Sequence, residues 1–559
     1  MSERELRGLA ASGGVAVGRA LVWLDPEPPA AAAKSDPLAA LDVVAAELAG
    51  GAERFRVAGL EDEAEILETN KLMVEDPTLR LEVERLGAEL DPADALREAM
   101  ARHAEALEAL ADPMLAARAT DVRQLGARAV RVLSGGAMPA ATEASILIAR
   151  DLGPADIADL RLDEGLVLGI ALADGAATSH AAIMARAFGV PMAVGIGEDL
   201  FSIVGGQTLI VEGDEGMVVV DPSPKELLSA ENDLRRRRRL RKQRIATRGL
   251  PAVTRDGQIV SLLCNASTEA EAIAGLEAGA DGVGLLRTEL AFLDASAWPT
   301  EDEHIAVLTP TLARLRGLVA TVRTFDFGAD KTPAFLAGIT ERGLALMLSH
   351  PDELAKQLRA IVRAAEGTRL RVLLPLVESA DQVRAVRALI TDPTVSVGAM
   401  IETPAAVERA AEIAAEADFL SIGTNDLVQY TLGLDRDRPV ASATTAGEPV
   451  ILRLIGQVVD AAHAARKTVE VCGEAAGETE VATLLIGLGV DELSVAPARL
   501  DELRETVRLL SFSDAGDAAR RAIASSSARE ALALARGLLS DELRHETGQV
   551  IGGLGRAVP

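Results

Sequence analysis

The sequence has 559 residues, too many for one hydrophobic core, and its length predicts three or four domains. Hydrophobic residues make up 49% of it, enough for large cores, but aromatic residues make up only 2%, which argues against a function that stacks nucleic-acid bases. The formal charge of -28 would repel nucleic acid and anionic membranes, and it favours a small basic protein partner. Two distant cysteines, an N-terminus without signal-peptide character and the lack of an uncharged run of transmembrane length predict a cytoplasmic protein.

The N-terminal part alternates between strand and helix patterns. Small and apolar residues from Gly8 to Leu24 predict a strand, a turn and a second strand. From Leu38 to Leu133 the composition is helical, and it predicts a bundle of about four helices. The expected breaks between them are Gly50-Gly51, Asp76-Pro77, Asp91-Pro92 and Asp112-Pro113.

Short apolar runs separated by turns follow the bundle and predict a compact α/β domain. These runs are Ser145 to Ala149, Gly165 to Leu172, Val190 to Val194, Thr208 to Glu212 and Met217 to Val220. Since the first strands complete this domain, we assign it residues 1–24 and 140–221. The helical bundle, residues 25–139, is then an insertion, which surface-exposed and closely spaced chain ends would allow.

Within this domain, His180 follows Thr178 and Ser179 and opens a run of helix-forming residues. Thr178 and Ser179 are candidate N-caps, and the free N–H groups of a helix start favour an anion such as a phosphoryl group. An imidazole titrates near neutrality and can act as a nucleophile without a metal. The alternative from these residues alone is an ordinary helix-start histidine held by a cap or by solvent.

Residues 222–250 predict a polar linker helix that contains five consecutive arginines, Arg235 to Arg239. Such a run can bind nucleic acid or an anionic surface. We favour a solvated helix, because acidic residues precede the arginines and the whole chain is acidic.

From residue 251 to residue 559, eight apolar runs, most of them followed by helical patterns, predict a (β/α)8 barrel of the TIM type. The runs are Ile259 to Asn265, Gly282 to Leu286, Ala320 to Phe325, Leu370 to Leu376, Val395 to Ile401, Asp418 to Gly423, Thr468 to Cys472 and Glu492 to Ala496. The predicted fold class is therefore multidomain α/β, with the helical insertion in the first α/β domain and the barrel after it.

Polar residues collect at the carboxyl ends of the predicted barrel strands, where catalytic groups gather in this fold. They are Arg287, Thr288, Glu289, Arg323, Asp326, Glu402, Asn425, Asp426, Cys472 and Glu474. Arginines there, with Arg436 farther on, can bind phosphate and carboxylate oxygens, while Glu402 and Asp426 are suitable ligands for Mg²⁺. Cys472 could move a proton. The alternative is a set of structural ion pairs around a core cysteine.

Six motifs, in this order, resemble those of enzyme I of the phosphoenolpyruvate:sugar phosphotransferase system, and the resemblance covers essentially the whole chain. They are Thr178 to Arg186, Gly284 to Glu289, Val322 to Thr324, Ile401 to Ala406, Ser421 to Leu427 and Val471 to Glu474. Pyruvate phosphate dikinases and phosphoenolpyruvate synthases share the histidine domain and barrel but also carry an ATP-binding domain. No glycine-rich nucleotide loop is visible in this sequence.

The resemblance implies a role for each matching residue. His180 would take the phosphoryl group of phosphoenolpyruvate and pass it to a histidine of the phosphocarrier HPr, which would bind the helical insert. Arg287, Arg323, Asn425, Asp426 and Arg436 would bind phosphoenolpyruvate. Glu402 and Asp426 would hold Mg²⁺, and Cys472 would protonate the enolate to give pyruvate. The barrel would form a homodimer, and the His180 domain would swing between its two partners.

Five positions depart from the family pattern: Gly153, Ala176, Ala177, Ala329 and Ala345. They motivate an alternative from another class, a catalytically weakened paralogue that acts as a binding or regulatory scaffold. A dikinase-like phosphoenolpyruvate synthase is the alternative among enzymes.

Overall fold

The computed structural model describes residues 4–23, 36–57, 61–109, 113–136, 141–162, 165–177, 179–293, 295–328, 332–434 and 443–539. The chain divides into two compact units, Met1–Leu240 and Arg241–Pro559. Arg436 and Thr178 lie outside the described residues, as does Ala329. None of the described helices is long and apolar enough to cross a membrane.

The first unit contains an eight-stranded mixed sheet. Its strands are β1 (Arg4–Arg7), β2 (Leu9–Ser12), β3 (Val15–Val22), β4 (Ser145–Ala149), β5 (Val167–Leu172), β6 (Met192–Val194), β7 (Thr208–Glu212) and β8 (Met217–Val220). They lie in the order β1-β8-β7-β3-β4-β5-β6-β2. The first strands therefore complete the sheet as predicted, and β1 adds an edge strand that the sequence had not indicated.

The insertion between β3 and β4 is helical, and its described residues form five helices where about four were predicted. They are α1 (Pro37–Val57), α2 (Glu61–Glu75), α3 (Pro77–Gly87), α4 (Pro92–Glu108) and α5 (Pro113–Leu133). Asp76 and Asp91 cap α3 and α4, each followed by a proline at the first helical position.

The predicted break at Gly50-Gly51 is wrong, because both glycines lie inside α1. A Cβ atom on Gly51 would come within 2.8 Å of a methyl carbon of Leu67 in α2. The glycine therefore serves the close packing of two helices, and this contact cannot be seen in the local sequence.

Three further described helices lie between the insertion and the barrel in the sequence. They are α6 (Pro154–Asp159), α7 (His180–Ala187) and α8 (Pro224–Ala246), the last of which is the predicted linker helix. Within α8, Arg235 and Arg237 pair with Glu231 and Asp233 one turn earlier. Arg237 also contacts Asp214 in the loop between β7 and β8. These pairs are those of a solvated helix, which was the favoured interpretation of the arginine run.

The second unit is a closed barrel of eight parallel strands, as predicted. The strands are β9 (Ser261–Ala266), β10 (Gly282–Leu286), β11 (Val319–Arg323), β12 (Arg369–Leu374), β13 (Ser396–Ile401), β14 (Phe419–Ile422), β15 (Thr468–Val471) and β16 (Glu492–Val495). Each of the eight predicted runs contains or overlaps one of them.

Helices follow the barrel strands and cover its outside. They are α9 (Glu269–Glu277), α10 (Glu301–Arg314), α11 (Gly343–Ser349), α12 (Pro351–Ala364), α13 (Ala380–Arg387), α14 (Pro404–Glu408), α15 (Ala410–Glu416), α16 (Thr424–Leu432), α17 (Pro449–Ala464), α18 (Thr479–Gly487), α19 (Leu500–Leu509) and α20 (Phe512–Ile523). The main core of this unit lies between the strands and the helices. A smaller cluster inside the barrel consists of Leu285, Leu373, Met400, Phe419 and Cys472.

Candidate active sites

His180 is the first residue of α7, as the sequence predicted. Ser179 caps this helix, since its Oγ accepts a hydrogen bond from the amide of Ala182 at 3.2 Å. The imidazole keeps 25% of its surface exposed. Its Nδ1 lies 3.1 Å from Oδ1 of Asp121. A carboxylate can only accept a hydrogen bond, so Nδ1 carries the proton and Nε2 keeps the free lone pair of a nucleophile.

The partners of His180 come from helix α5 of the insertion. Asp121 is buried, and Arg118, one turn before it, approaches Asp121 Oδ2 at 3.4 Å. The same guanidinium nitrogen of Arg118 lies 3.5 Å from Nε2 of His180. A cation is thus placed where a phosphoryl group on Nε2 would carry its negative charge. The sequence analysis missed both residues, because about sixty residues separate them from His180 and only their i,i+3 spacing on α5 hints at a pair.

At the carboxyl end of the barrel, Arg323 is buried among carboxylates. Its Nη1 lies 3.1 Å from Asp326 Oδ2, and its Nη2 lies 2.5 Å from Glu289 Oε1. The hydroxyl of Thr288 donates a hydrogen bond to the backbone carbonyl of Arg323 at 2.9 Å, which further fixes the position of Arg323. Arg323 is therefore held at the end of β11, where the sequence placed it.

Glu402 follows β13 and is buried close to other acidic groups. Its Oε1 accepts the amide of Leu376 at 2.9 Å. A Cβ on Gly423 would come within 2.6 Å of its Oε2, so the glycine makes room for the carboxylate. Burial raises the pKa of Glu402 well above its ordinary value, and the charges of Asp326 and Asp426 raise it further. Carboxylates that repel one another in this way would be stabilised by a divalent cation.

Arg342 is a residue of this site to which the sequence analysis gave no role. It precedes α11, and its Nη2 lies 3.1 Å from Asp426 Oδ2 while its Nε lies 3.6 Å from Asp326 Oδ1. The guanidinium thus joins Asp426 and Asp326. Its only signal in the sequence is its place three residues before Ala345, one of the positions that depart from the family pattern.

Cys472 lies just beyond β15 and faces the inside of the barrel. Ser421 Oγ donates a hydrogen bond to its Sγ at 3.3 Å. Mainly through burial, the pKa of this thiol is raised to about 12, so the sulfur carries a proton at neutral pH. That state suits a proton donor and does not suit a thiolate nucleophile.

The remaining predicted residues lie at the rim. Arg287 is half-buried and lines a cavity of about 340 Å³ together with Gly473 and Glu474. Asn425 is exposed, and its Oδ1 accepts the amide of Glu474 at 3.2 Å. The carboxyl ends of β10, β14 and β15 thus bring Arg287, Asn425 and Cys472 to one face of the barrel.

The donors at this face fit Mg²⁺ better than a transition metal. Glu402 and Asp426 offer hard carboxylate oxygens, and two protein ligands leave the other positions for water and for substrate oxygens. In the part of the chain that the structure describes, no group of three or more His, Cys, Asp or Glu side chains forms a metal cage. A dedicated zinc-type site is therefore not a feature of these residues.

Three family models match consecutive parts of the chain. They are described as the N-terminal part (residues 7–118), the mobile domain (residues 141–216) and the PEP-binding domain (residues 241–512) of PEP-utilising enzymes. The mobile-domain match contains His180, and the PEP-binding match contains the polar residues at the carboxyl end of the barrel.

Whole-chain relatives agree with these models. The chain is 38% identical to the phosphoenolpyruvate-protein phosphotransferase of Streptomyces coelicolor, over 97% of this chain and 100% of that protein. It is 33% identical to the protein of the same name from Geobacillus stearothermophilus, over 92% and 94%. The multiphosphoryl transfer protein of Rhodobacter capsulatus is 38% identical over 84% of this chain, and the match spans only 58% of that longer protein. The chain belongs to the phosphoenolpyruvate-protein phosphotransferase family of PEP-utilising enzymes.

Proposed function

We propose that this chain transfers the phosphoryl group of phosphoenolpyruvate to Nε2 of its own His180, and from there to a histidine of the phosphocarrier HPr. In the first step the phosphorus–oxygen bond of phosphoenolpyruvate breaks and a nitrogen–phosphorus bond forms. The enolate that leaves takes a proton at its methylene carbon and becomes pyruvate. This would be the first step of sugar uptake by the phosphotransferase system.

The observation that carries the proposal is the hydrogen bonding of His180. Asp121 holds the proton on Nδ1, so that Nε2 is the nucleophile, and Arg118 lies 3.5 Å from Nε2. This arrangement of orienting carboxylate, nucleophilic nitrogen and nearby cation favours transfer of a dianionic group. An ordinary helix-start histidine would need neither partner.

In the barrel, the arginines would bind the substrate's charged groups. Arg287 and Arg323, with Arg436, present planar guanidinium groups that match phosphate and carboxylate oxygens, and Asn425 adds an amide. Arg342, whose Nη2 lies 3.1 Å from Asp426 Oδ2 at the same face, would add a further guanidinium group to this set. We infer that a three-carbon phosphorylated acid is fixed by these groups at the carboxyl end of the barrel.

Glu402 and Asp426 would hold Mg²⁺ at the same face. The ion would neutralise the charge of the phosphate and of the enolate oxygen. What supports this role is the burial of Glu402 near the charges of Asp326 and Asp426, which raises its pKa even though Arg323 lies nearby. Cys472, protonated at neutral pH, would give its proton to the enolate carbon.

The partners follow from the same proposal. HPr would dock on the helical insertion, which supplies the residues around His180, and a second copy of the chain would pair through the barrel. The alternatives, a non-catalytic scaffold and an ATP-dependent synthase, remain distinguishable by experiment.

The test is incubation with phosphoenolpyruvate labelled in the phosphoryl group, with and without Mg²⁺. We expect one acid-labile, base-stable phosphoryl group per chain, absent in His180→Gln and unchanged in the control His103→Gln, which alters a histidine of helix α4. A parent protein that stays unlabelled but binds HPr would support the scaffold. Labelling from ATP would support the synthase.

A further inference from the structure

A buried glutamine of the outer helix layer contacts the segment that carries Arg323. Gln357 lies on α12 and is fully buried, on the same helix face as the buried Leu354 and Ile361. An apolar side chain would suit this face of an amphipathic helix. A buried amide side chain is stable only where its polar atoms have partners, so the contacts of Gln357 indicate its role.

Both polar atoms of the Gln357 side chain form hydrogen bonds. Its Oε1 accepts from the backbone amide of Phe325 at 3.1 Å. Its Nε2 donates to the hydroxyl of Thr288 at 3.2 Å. A backbone amide can only donate, so the side-chain oxygen must face Phe325 and the NH₂ group must face Thr288.

Thr288 extends this connection to Arg323. Because the hydroxyl oxygen of Thr288 accepts from Gln357, its proton can go to the carbonyl of Arg323, which lies 2.9 Å away. Gln357, Thr288 and Arg323 are all buried, so water does not compete with these bonds. Through Thr288 on one side and Phe325 on the other, Gln357 holds the backbone both before and after Thr324.

These side chains serve as partners for backbone groups beyond the end of a strand. β11 ends at Arg323, and the amide of Thr324 still donates to the carbonyl of Leu373 in β12 at 3.0 Å. On the other side, β10 already ends at Leu286. The carbonyl of Arg323 and the amide of Phe325 are therefore bound by side chains, which avoids the cost of leaving buried backbone groups without partners.

The segment held in this way carries two charged groups of the barrel site. Arg323 pairs with Glu289 and with Asp326. Asp326 also lies 3.6 Å from Nε of Arg342. A shift of this backbone would therefore move the guanidinium of Arg323 and the carboxylate of Asp326 together.

We propose that Gln357 is a positioning residue for the binding of phosphoenolpyruvate, and that it acts through Thr288 and Phe325 to fix Arg323. The inference rests on the proposed function, in which Arg323 binds the substrate at the carboxyl end of the barrel. Gln357 does not touch the substrate in this scheme. It holds Arg323 in place before the substrate arrives, so that binding does not have to order this side chain.

The test is the equilibrium binding of phosphoenolpyruvate with Mg²⁺ to the full chain, measured by calorimetry. Every variant also carries His180→Gln, which removes the phosphoryl acceptor, so that the substrate binds without being consumed. Gln357→Met keeps the length of the side chain but removes both hydrogen bonds. We expect Kd to rise roughly tenfold or more, as the loss of an orienting partner does at metal sites. A merely structural role would lower the melting temperature and leave Kd of the folded protein unchanged.

Two changes at Thr288 separate its hydroxyl group from the shape of its side chain. Thr288→Val removes the hydroxyl and should weaken binding, whereas Thr288→Ser keeps it and should bind as the unchanged position does. Gln357→Met combined with Thr288→Val should bind about as well as Gln357→Met alone, because both changes interrupt one chain of hydrogen bonds. The matched control is Thr483→Val on α18, which removes a buried hydroxyl that donates to the carbonyl of Thr479 at 2.8 Å and should leave Kd unchanged.

Parent-like Kd values for folded Gln357→Met and Thr288→Val would overturn the inference. Equal losses in Thr288→Ser and Thr288→Val, or an equal loss in Thr483→Val, would overturn it as well. If Gln357→Met does not fold, as judged by its melting temperature, the two Thr288 variants carry the test. A chain that carries only His180→Gln and binds no phosphoenolpyruvate would instead contradict the proposed function.

Discussion

At the scale of single residues, Asp121 is the group that we expect to decide which nitrogen of His180 attacks phosphorus, because it lies 3.1 Å from Nδ1. Asp121→Asn keeps the shape but removes the negative charge that stabilises the imidazolium-like transition state, and the amide can also present its NH₂ group to Nδ1. We expect phosphorylation of His180 to slow by roughly tenfold or more, since such orienting carboxylates contribute at least that much. Rapid-quench measurement with labelled phosphoenolpyruvate gives the rate, and an unchanged rate would assign Asp121 a structural role only.

His304 links the stability of the barrel to pH. It is buried on α10 against the rings of Phe292 and Phe325, and mainly through burial its pKa is lowered to about 4. In the unfolded chain this histidine has its ordinary pKa near 6.5, so between that value and the folded value of about 4 the unfolded chain binds more protons than the folded chain. The free energy of unfolding therefore falls as the pH drops through this window. The barrel should be roughly 2 kcal/mol less stable at pH 5 than at pH 7.

Thermal unfolding of the parent and of His304→Leu at both pH values measures this effect. The variant has a side chain of similar volume that does not titrate, so its loss of stability on acidification should be smaller. An equal loss in both proteins would assign the acid sensitivity to other groups.

Residue-level prediction from the sequence succeeded where the signal is local. His180 at a helix start and the polar residues after five of the barrel strands were found because the cap and the strand end are adjacent in sequence. Asp121 was not found, because only tertiary packing brings it to His180.

Helix α5 is the element that positions Asp121, and a buried arginine fixes it. Arg128 lies two turns after Asp121 and contacts Glu47 of α1 at 2.7 Å, Asp156 of α6 at 2.8 Å and also Asp159. Arg128→Met would take this cation from the buried Asp156 and from the half-buried Glu47 and Asp159, and breaking a buried pair typically costs about 3 kcal/mol or more. We expect a lower melting temperature for the first unit and slower labelling of His180.

Arg123→Met is the control for this prediction. Arg123 lies on the same helix, but its pair with Glu108 is solvent-exposed, so its loss should cost less than about 1 kcal/mol. Calorimetry of both variants compares them, and similar losses would mean that the Arg128 cluster does not fix α5.

Prediction at the scale of elements was accurate for strands and weaker for helix boundaries. β4, β7, β8 and β10 have the predicted bounds, since Gly, Pro and charged residues terminate these apolar runs. The break predicted at Gly50-Gly51 was wrong, because a glycine that allows close helix packing has the same sequence signal as a glycine that ends a helix.

For the whole molecule, the net charge of -28 should govern how a basic phosphocarrier finds the chain. Opposite net charges accelerate encounter, and salt screens the attraction beyond about 10 Å. We expect the association rate of HPr to fall about tenfold between low and high salt, with little change in dissociation. Stopped-flow mixing measures both rates, and a salt-independent association rate would contradict an electrostatic encounter.

The swivel of the His180 domain stays a prediction. Nε2 must come close to the phosphorus for in-line transfer, so the His180 domain is expected to move between the barrel and HPr during the cycle. Asp221 to Pro224 and Gly249 to Pro251, at the two ends of α8, are the expected hinges. Fluorophores on the His180 domain and on the barrel should report a distance that changes with phosphoenolpyruvate and Mg²⁺, and one fixed distance during turnover would rule the swivel out.

The place of the helical insertion in the sheet has an evolutionary consequence. β3 and β4, the strands on either side of it, are hydrogen-bonded parallel neighbours. Parallel neighbours always need a crossover of about a dozen residues or more, so the five helices occupy a connection that the fold requires anyway. A gene rearrangement that exchanged this segment for a single helix would keep the crossover and the pairing of β3 with β4. Recognition of a partner and the phosphate-accepting domain could therefore be inherited separately.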